Sequence, residues 1–433
     1  MNVSTPLILR NRFDLARATY TRHKSLNFAL LDQSVVSGGN FLTGVIVARA
    51  LGIEGFGIFS LAWLAVLFMQ SLQHALIGAP MLSIGPKQEA HQVRAYYSAI
   101  LLQQIIVASL LALTIPALGF AAISLGYSNG LDSLILPLTL CIFFTQMHEF
   151  ARRSCFARNM IVGAFVTDLV RNLSQFIVLL FLLFVLKGIA SAAIVLYAIA
   201  ACAALGVLAA APAMPRFTRP GCEFGETTRR HFRFSKWLLG SAVLQWTSGN
   251  FYLIVAGIVL GPLAVGALKA AQTLFGVTHI FFQAAENILS PRAARIYKER
   301  GLAGLSPFIR KTALLGGALT GAACLAFAVP AKFWLLLLFG EEYVGYGFAV
   351  VGIAAGYFLM AMALPLRFAC TAREETSPIF TGYLLATAFA LVAAYPLIAR
   401  FGLVGAVAGF AASHLIMLGN FWFHYERRMG GTV

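Results

Sequence analysis

The sequence predicts an all-α membrane protein, with about twelve transmembrane helices in two parallel-repeat six-helix bundles around a central cavity. Three observations predict it. Of the 433 residues, 60% are hydrophobic and only 11% are charged, against about a quarter charged in a soluble domain. Apolar stretches long enough to cross a bilayer, roughly 20 residues each, recur along the whole chain, and the loops between them alternate between basic and nearly uncharged. The two halves of the chain also resemble each other without inversion.

The spans are read at about 26–50, 56–80, 95–125, 131–149, 160–186, 189–213, 236–260, 264–291, 308–330, 346–370, 378–400 and 402–424. A basic arm, 1–25, precedes them. A linker, 214–235, rich in Arg, Pro and Gly, divides an N-terminal bundle (26–213) from a C-terminal bundle (236–424), and a tail, 425–433, follows. Span 3 is longer than a bilayer needs, which predicts a tilted or interfacial turn near Pro116. The first apolar stretch, from Leu26, has span length and no small-residue cleavage site before the next loop, so no signal peptide is expected.

The net charge of +16 raises the question of nucleic acid. A nucleic-acid binder gathers Lys and Arg on one soluble face, whereas here they sit in alternate short loops. Of the 32 basic residues, 26 fall in the arm, the linker, the tail and the loops after even-numbered spans. Five, Arg49, Lys187, Lys269, Lys332 and Arg400, fall on the other side, and Arg171 lies within span 5. By the positive-inside rule both termini are cytoplasmic. Cys141, Cys155, Cys202, Cys222, Cys324 and Cys370 form no CxxC and have no His at zinc spacing, so neither disulfide nor metal is expected.

The repeat is carried by short matches. Gly39-Asn40-Phe41 in span 1 matches Gly249-Asn250-Phe251 in span 7, and Leu51-Gly52 with Gly57 matches Leu260-Gly261 with Gly266. After spans 4 and 10, Arg152, Cys155, Ala157 and Arg158 align with Arg367, Cys370, Ala372 and Arg373 at one offset. The offset drifts only from 209 to 215. An even number of spans per repeat leaves the halves in one orientation, the arrangement of parallel repeats.

Ala48-Arg49-Ala50-Leu51-Gly52-Ile53-Glu54-Gly55-Phe56-Gly57 resembles the junction between the first two spans of polysaccharide transporters. These are the O-antigen-type oligosaccharide flippases of the multidrug/oligosaccharidyl-lipid/polysaccharide exporter superfamily. Leu289-Ser290-Pro291 and the run from Glu149-Phe150-Ala151-Arg152-Arg153 to Arg158 are similar to that group as well. The resemblance implies a V-shaped pair of bundles in the bacterial inner membrane. It implies movement of undecaprenyl-pyrophosphate-linked sugars between leaflets by alternating access.

Polar residues within spans mark candidate cavity positions, because a charge at the bilayer centre costs roughly 2.5–3.5 kcal/mol on insertion scales. In span 8, Lys269, Gln272, Gly276, His279, Gln283 and Glu286 follow steps of three and four, one face of one helix. That stripe faces a wet cavity or forms a hydrogen-bonded seam with neighbouring helices. Gln70 and His74 of span 2 stand 209 positions before His279 and Gln283, which makes spans 2 and 8 candidate facing walls. Asn40 and Asn250 each neighbour a Gly, and close helix packing explains them as well as substrate contact does. Asp32 lies near the cytoplasmic end of span 1, within reach of the interface. Asp168 and Arg171 form an i,i+3 pair in span 5 that can neutralise itself. For a diphosphate the inward cationic candidates are Lys269, Arg171 and Arg49, the last also readable as an interfacial anchor. The symmetric cytoplasmic arginines Arg152, Arg158, Arg367 and Arg373 read either as topology determinants or as contacts for a diphosphate entering from the inner leaflet.

The resulting expectation is a flippase for lipid-linked saccharide, acting as a monomer among membrane lipids and alongside polysaccharide polymerase machinery. An ion-coupled multidrug exporter of the same superfamily is the alternative, with Asp32, Asp168 or Glu286 as the coupling carboxylate. A major-facilitator carrier is disfavoured because Gly85-Pro86-Lys87-Gln88-Glu89-Ala90 lacks that family's basic loop pattern. An enzyme is not expected, since there is no GxSxG, HExxH or Walker loop and the outer loops are tiny. No cofactor is expected, and proton or sodium coupling is left open.

Overall fold

The computed structural model describes residues 5–89, 91–126, 132–185, 190–214, 217, 223–375 and 377–429, with the backbone alone at 5–34, 223, 277, 279, 280, 283, 284, 287, 428 and 429. The described residues are helical almost throughout. In order the helices are α1 (Thr5–Gln73), α2 (Ala79–Ile84), α3 (Val93–Ser124), α4 (Asp132–Ala157), α5 (Ile161–Phe184) and α6 (Ala192–Ala210). There follow α7 (Glu223–Leu260), α8 (Pro262–Leu274), α9 (Gly276–Ala328), α10 (Ala331–Leu338), α11 (Gly347–Ala372) and α12 (Ser377–Met429). A π-helical turn, His74–Gly78, joins α1 to α2.

Nine stretches among the described residues are long and apolar enough to cross a bilayer, fewer than the twelve spans read from the sequence. The difference arises at glycines and at one interruption. α1 holds the first two predicted spans, kinked at Gly52 with φ 68°, and α12 holds the last two, kinked at Gly402 with φ 58°. Gly301, also at φ 58°, links the two parts of α9. Without a Cβ these residues take positive φ at no steric cost, so helical bonding resumes on both sides of each kink. The eighth predicted span is instead divided between α8 and α9.

That division corrects the uninterrupted polar stripe expected there. Phe275 is fully buried against Phe327 and Tyr357. Its carbonyl accepts the backbone N–H of Thr278 at 2.9 Å and the Thr278 hydroxyl at 2.6 Å, a tight turn in place of α-helical bonding. Lys269 and Gln272 therefore stand on one helix and Glu286 on the next. α3 supplies a second correction. It runs unbroken through Pro116 over 32 residues, where an interfacial turn was expected. A proline is tolerated inside a transmembrane helix because neighbouring groups re-satisfy the freed carbonyl. The surplus length carries Tyr96 and Tyr97 into a small core with Ile84 and Phe150.

The helices pack as two groups, α1 to α6 and α7 to α12, with α1 against α8 forming the main seam between them. The second part of the predicted linker is the start of α7, which docks on the first group. Tyr96 Oη lies 3.0 Å from His231 Nε2, Gln103 donates to Thr228 Oγ1 at 2.7 Å, and Ser235 donates to Leu76 O at 3.3 Å. Outward, Leu110, Leu118, Phe120, Ile258 and Val329 are all more than 60% exposed. In water so much exposed hydrocarbon is an aggregation surface; against lipid tails it costs nothing.

Candidate functional site: a closed junction and two cavities

At one end of the seam the two groups are in backbone contact. A Cβ on Gly57 would stand 1.8 Å from the carbonyl oxygen of Pro262, and one on Gly266 would stand 2.0 Å from that of Ile53. No side chain fits at either position. Around this contact Arg49 donates to the carbonyls of Leu338 (2.7 Å) and Leu337 (2.5 Å). Glu342 accepts the Ile53 N–H at 3.0 Å, and Tyr343 donates to Ala48 O at 3.4 Å. Arg49 thus caps the C-terminal carbonyls of α10, where a cation is favoured by the helix dipole. The junction end is closed.

Away from it, toward the end where the Arg152 and Arg367 helices finish, the groups enclose a cavity of about 450 Å³. Ser71, His74, Leu238, Gln245, Trp246 and Asn250 are among its lining residues. Phe68 and Trp246 meet across the seam with ring centroids 4.7 Å apart. His74 begins the π-helical turn, a wide turn often found at functional positions. Its ring folds over Gly78, where a Cβ would stand 2.6 Å from Nδ1, and that nitrogen has no hydrogen-bond partner among the described residues.

A second cavity, about 240 Å³, lies inside the second group and is lined by Gln245, Glu286, Arg367, Tyr383, Ser413 and His414 among others. Arg367 pairs with Glu286 at 2.8 Å and donates to the Tyr383 hydroxyl at 3.3 Å. Ser413 lies 3.1 Å from the Tyr252 hydroxyl, and His414 Nδ1 lies 2.9 Å from Phe410 O.

The first group is filled with charge instead. Arg152 Nε reaches Asp168 Oδ2 at 2.5 Å, His148 Nε2 lies 3.4 Å from Asp168 Oδ1, and Arg153 Nε reaches Glu149 Oε1 at 2.5 Å. A buried amide chain runs beside it, with Gln73 donating to Gln104 Oε1 at 2.7 Å and Gln104 donating to Gln146 O at 3.2 Å. Such a network ties α1, α3 and α4 together, since each unmet amide in a bilayer would be costly.

The model of the family described as polysaccharide biosynthesis protein matches residues 26–296. The chain belongs to this family. No curated protein sequence matches it. Among solved structures, the chain is similar to a multidrug resistance MATE family transporter of the MOP superfamily in an inward-facing conformation. That match has 14% identity and a TM-score of 0.69, covering 91% of this chain and 94% of that one. It is similar as well to the lipid II flippase MurJ in an inward closed conformation, at 11% identity and TM-score 0.66, over 93% of this chain and 87% of that one. The Vibrio cholerae MATE transporter VcmN in its bent form matches at 14% identity and TM-score 0.61, over 95% and 98%. At these identities the likeness is one of fold. This member of the polysaccharide biosynthesis family is a multi-pass membrane protein, and its fold is that of the MOP-superfamily transporters it resembles.

The predicted site residues of this family member are scattered among these features. His74 and Asn250 meet in the cavity between the groups, and Glu286 lines the second. Lys269 lies half-buried on α8, about 10 Å of helix rise beyond Pro262. It sits between Gly266 and Thr273, which face Ile53 and Gly44 of α1, and no described residue pairs with its ammonium. Gln272 and Gln70 are half-buried and Asn40 is exposed. Asp168 takes Arg152 as its ion-pair partner, while Arg171 lies 3.4 Å from His148 Nδ1. Arg49 belongs to the junction. The side chains of Asp32, His279 and Gln283 lie outside the described residues.

Sequence reasoning missed Tyr383 and His414, which line the cavity inside the second group. One signal was available for Tyr383: the 215-residue offset places it opposite Asp168.

Proposed function

We propose that the protein is a flippase that moves an undecaprenyl-pyrophosphate-linked oligosaccharide from the inner to the outer leaflet of the bacterial cytoplasmic membrane. Both termini are cytoplasmic, twelve spans form two parallel repeats, and the junction end faces outward. The state described is then open toward the cytoplasm and sealed outside, the state that loads substrate.

The observation that carries this reading is Lys269. An ammonium deep in the seam between the groups, with no partner among the described residues, has electrostatic room for an anionic head group. A lysine meets phosphate as a point charge. A cation exporter would place a free carboxylate there. Among the described residues, the candidate carboxylates Asp168 and Glu286 are instead each paired with an arginine. The polysaccharide biosynthesis family supports the saccharide class, and the fold shared with MurJ supports a lipid-linked substrate.

The test uses purified protein in liposomes carrying a labelled undecaprenyl-pyrophosphate oligosaccharide. Wild type transfers label to the opposite leaflet, and Lys269→Ala, inserted normally, loses at least about 90% of the rate, as befits one charge-assisted contact. Ion-driven efflux of organic cations from the same vesicles, with no movement of saccharide, would establish the multidrug exporter instead.

A further inference from the structure

The two groups contain the same corner twice. Asn159 and Glu374 are the non-glycine residues with positive φ among those described, at 57° and 61°, and they stand 215 positions apart. Met160 N–H donates to Cys155 O at 2.8 Å, and Glu375 N–H donates to Cys370 O at 3.0 Å. The bond pattern is identical, so the offset of 215 holds through the α4–α5 and α11–α12 corners.

In that register the charged interior of the first group can be set beside the cavity of the second. His148, Glu149, Asp168 and Arg171 correspond to Ala363, Leu364, Tyr383 and Ala386. All four of the latter line the cavity of about 240 Å³. The hollow is therefore the space that large polar side chains occupy in the first group and that small or neutral ones leave open in the second. One polar member survives in both, Arg152 and Arg367.

Their partners differ. Arg152 is held by the Asp168 carboxylate, 1% exposed. Arg367 has the neutral Tyr383 hydroxyl at that position, and its counter-charge is Glu286 from α9, which is 55% exposed. A carboxylate so exposed leaves its partner at little cost, because water solvates it once released. The Arg367 side chain is itself only 20% exposed and lines a concave cavity. Gln245, Tyr383 and Ser413 supply neutral donors around it.

We infer that the cavity inside the second group is an anion site for the diphosphate head of a polyprenyl-linked ligand, with Arg367 as its forked partner and Glu286 as an internal competitor that occupies the arginine until the ligand displaces it. The lipid source of that diphosphate rests on the flippase reading; the anion chemistry stands on the cavity itself. No bond is made or broken; two acidic groups exchange on one guanidinium.

The full-length protein in lipid nanodiscs is titrated with two probes, farnesyl diphosphate and inorganic pyrophosphate. Wild type binds farnesyl diphosphate, Glu286→Gln binds it roughly tenfold tighter because the competitor is gone, and Arg367→Gln binds it at least roughly tenfold more weakly. Unchanged affinity in Arg367→Gln, or weaker binding in Glu286→Gln, overturns the site. The second variant leaves Arg367 in place, so the inference stays testable even where Arg367→Gln does not fold. Equal affinity for inorganic pyrophosphate supports the anion site but assigns its ligand to free anion and not to lipid. Saccharide flipping that survives in Arg367→Gln, with farnesyl diphosphate binding unaltered, removes this site and leaves the flippase reading. Tight Arg367-dependent binding without any flipping does the reverse.

Discussion

At the junction end, Gly57 and Gly266 stand 209 positions apart, and each takes a backbone oxygen from the other group into the space a Cβ would fill. The oxygens belong to Ile53 and Pro262, which are also 209 apart. The kink glycines beside them, Gly52 and Gly261, share nearly the same extended ψ and positive φ, at 68° and 84°. The other end treats the repeat differently. Positions 215 apart hold His148, Glu149, Asp168 and Arg171 in one group and Ala363, Leu364, Tyr383 and Ala386 in the other. Symmetry is kept where the two groups must meet each other, since a mutual contact constrains both partners equally. It is lost where each group has its own task, one interior being filled with paired charge and the other left hollow.

This contrast can be broken most directly at the two arginines. Arg152→Ala leaves the carboxylate of Asp168 buried with His148 nearby but without its arginine, a loss of about 3–5 kcal/mol. Arg367→Ala releases a carboxylate already in water and costs under about 1 kcal/mol. Thermal unfolding in detergent should separate the two variants clearly; equal losses would remove the distinction between a filled and a hollow group.

The symmetric end gives the next largest effect. Gly57→Val drives a side chain into the Pro262 backbone and should cost about 1–3 kcal/mol or more of closed state. A thiol placed by Ala48→Cys, buried at 0% exposure, should then react readily with an impermeant maleimide. Labelling as slow as in the Gly57 parent would mean that the close approach does not hold the junction shut. Glu342→Gln is the mildest test. It weakens the acceptor for Ile53 N–H and should cost about 0.5–1.5 kcal/mol, read as a small rise in Ala48→Cys labelling. No rise at all would assign the seal to the glycine contacts and Arg49.

Much of this was legible in the chain. The helical class followed from apolar stretches of bilayer length, and the paired junction was visible as Leu51-Gly52 with Gly57 against Leu260-Gly261 with Gly266. What those glycines do was not legible, because a missing Cβ permits a kink or a close approach without saying which. In the structure Gly52 and Gly261 are kinks, and Gly57 and Gly266 are contacts. The polar residues of the eighth span show the opposite failure. Their spacing fits one helical face, yet the burial of Phe275 against Phe327 and Tyr357 interrupts the helix, and no local periodicity records an aromatic contact made 52 and 82 residues away. The pair Asp168–Arg171 was read from i,i+3 proximity, while Asp168 takes Arg152, 16 residues back on α4.

The sequence by itself determined that the chain is helical and membrane-crossing, and which glycines matter, because hydropathy, charge alternation and the absence of a side chain are local properties. Tertiary structure alone decided which charges are spent on each other and which stay available. That outcome turns on how far apart two helices stand and whether a carboxylate reaches water, and neither distance is written in the order of the residues.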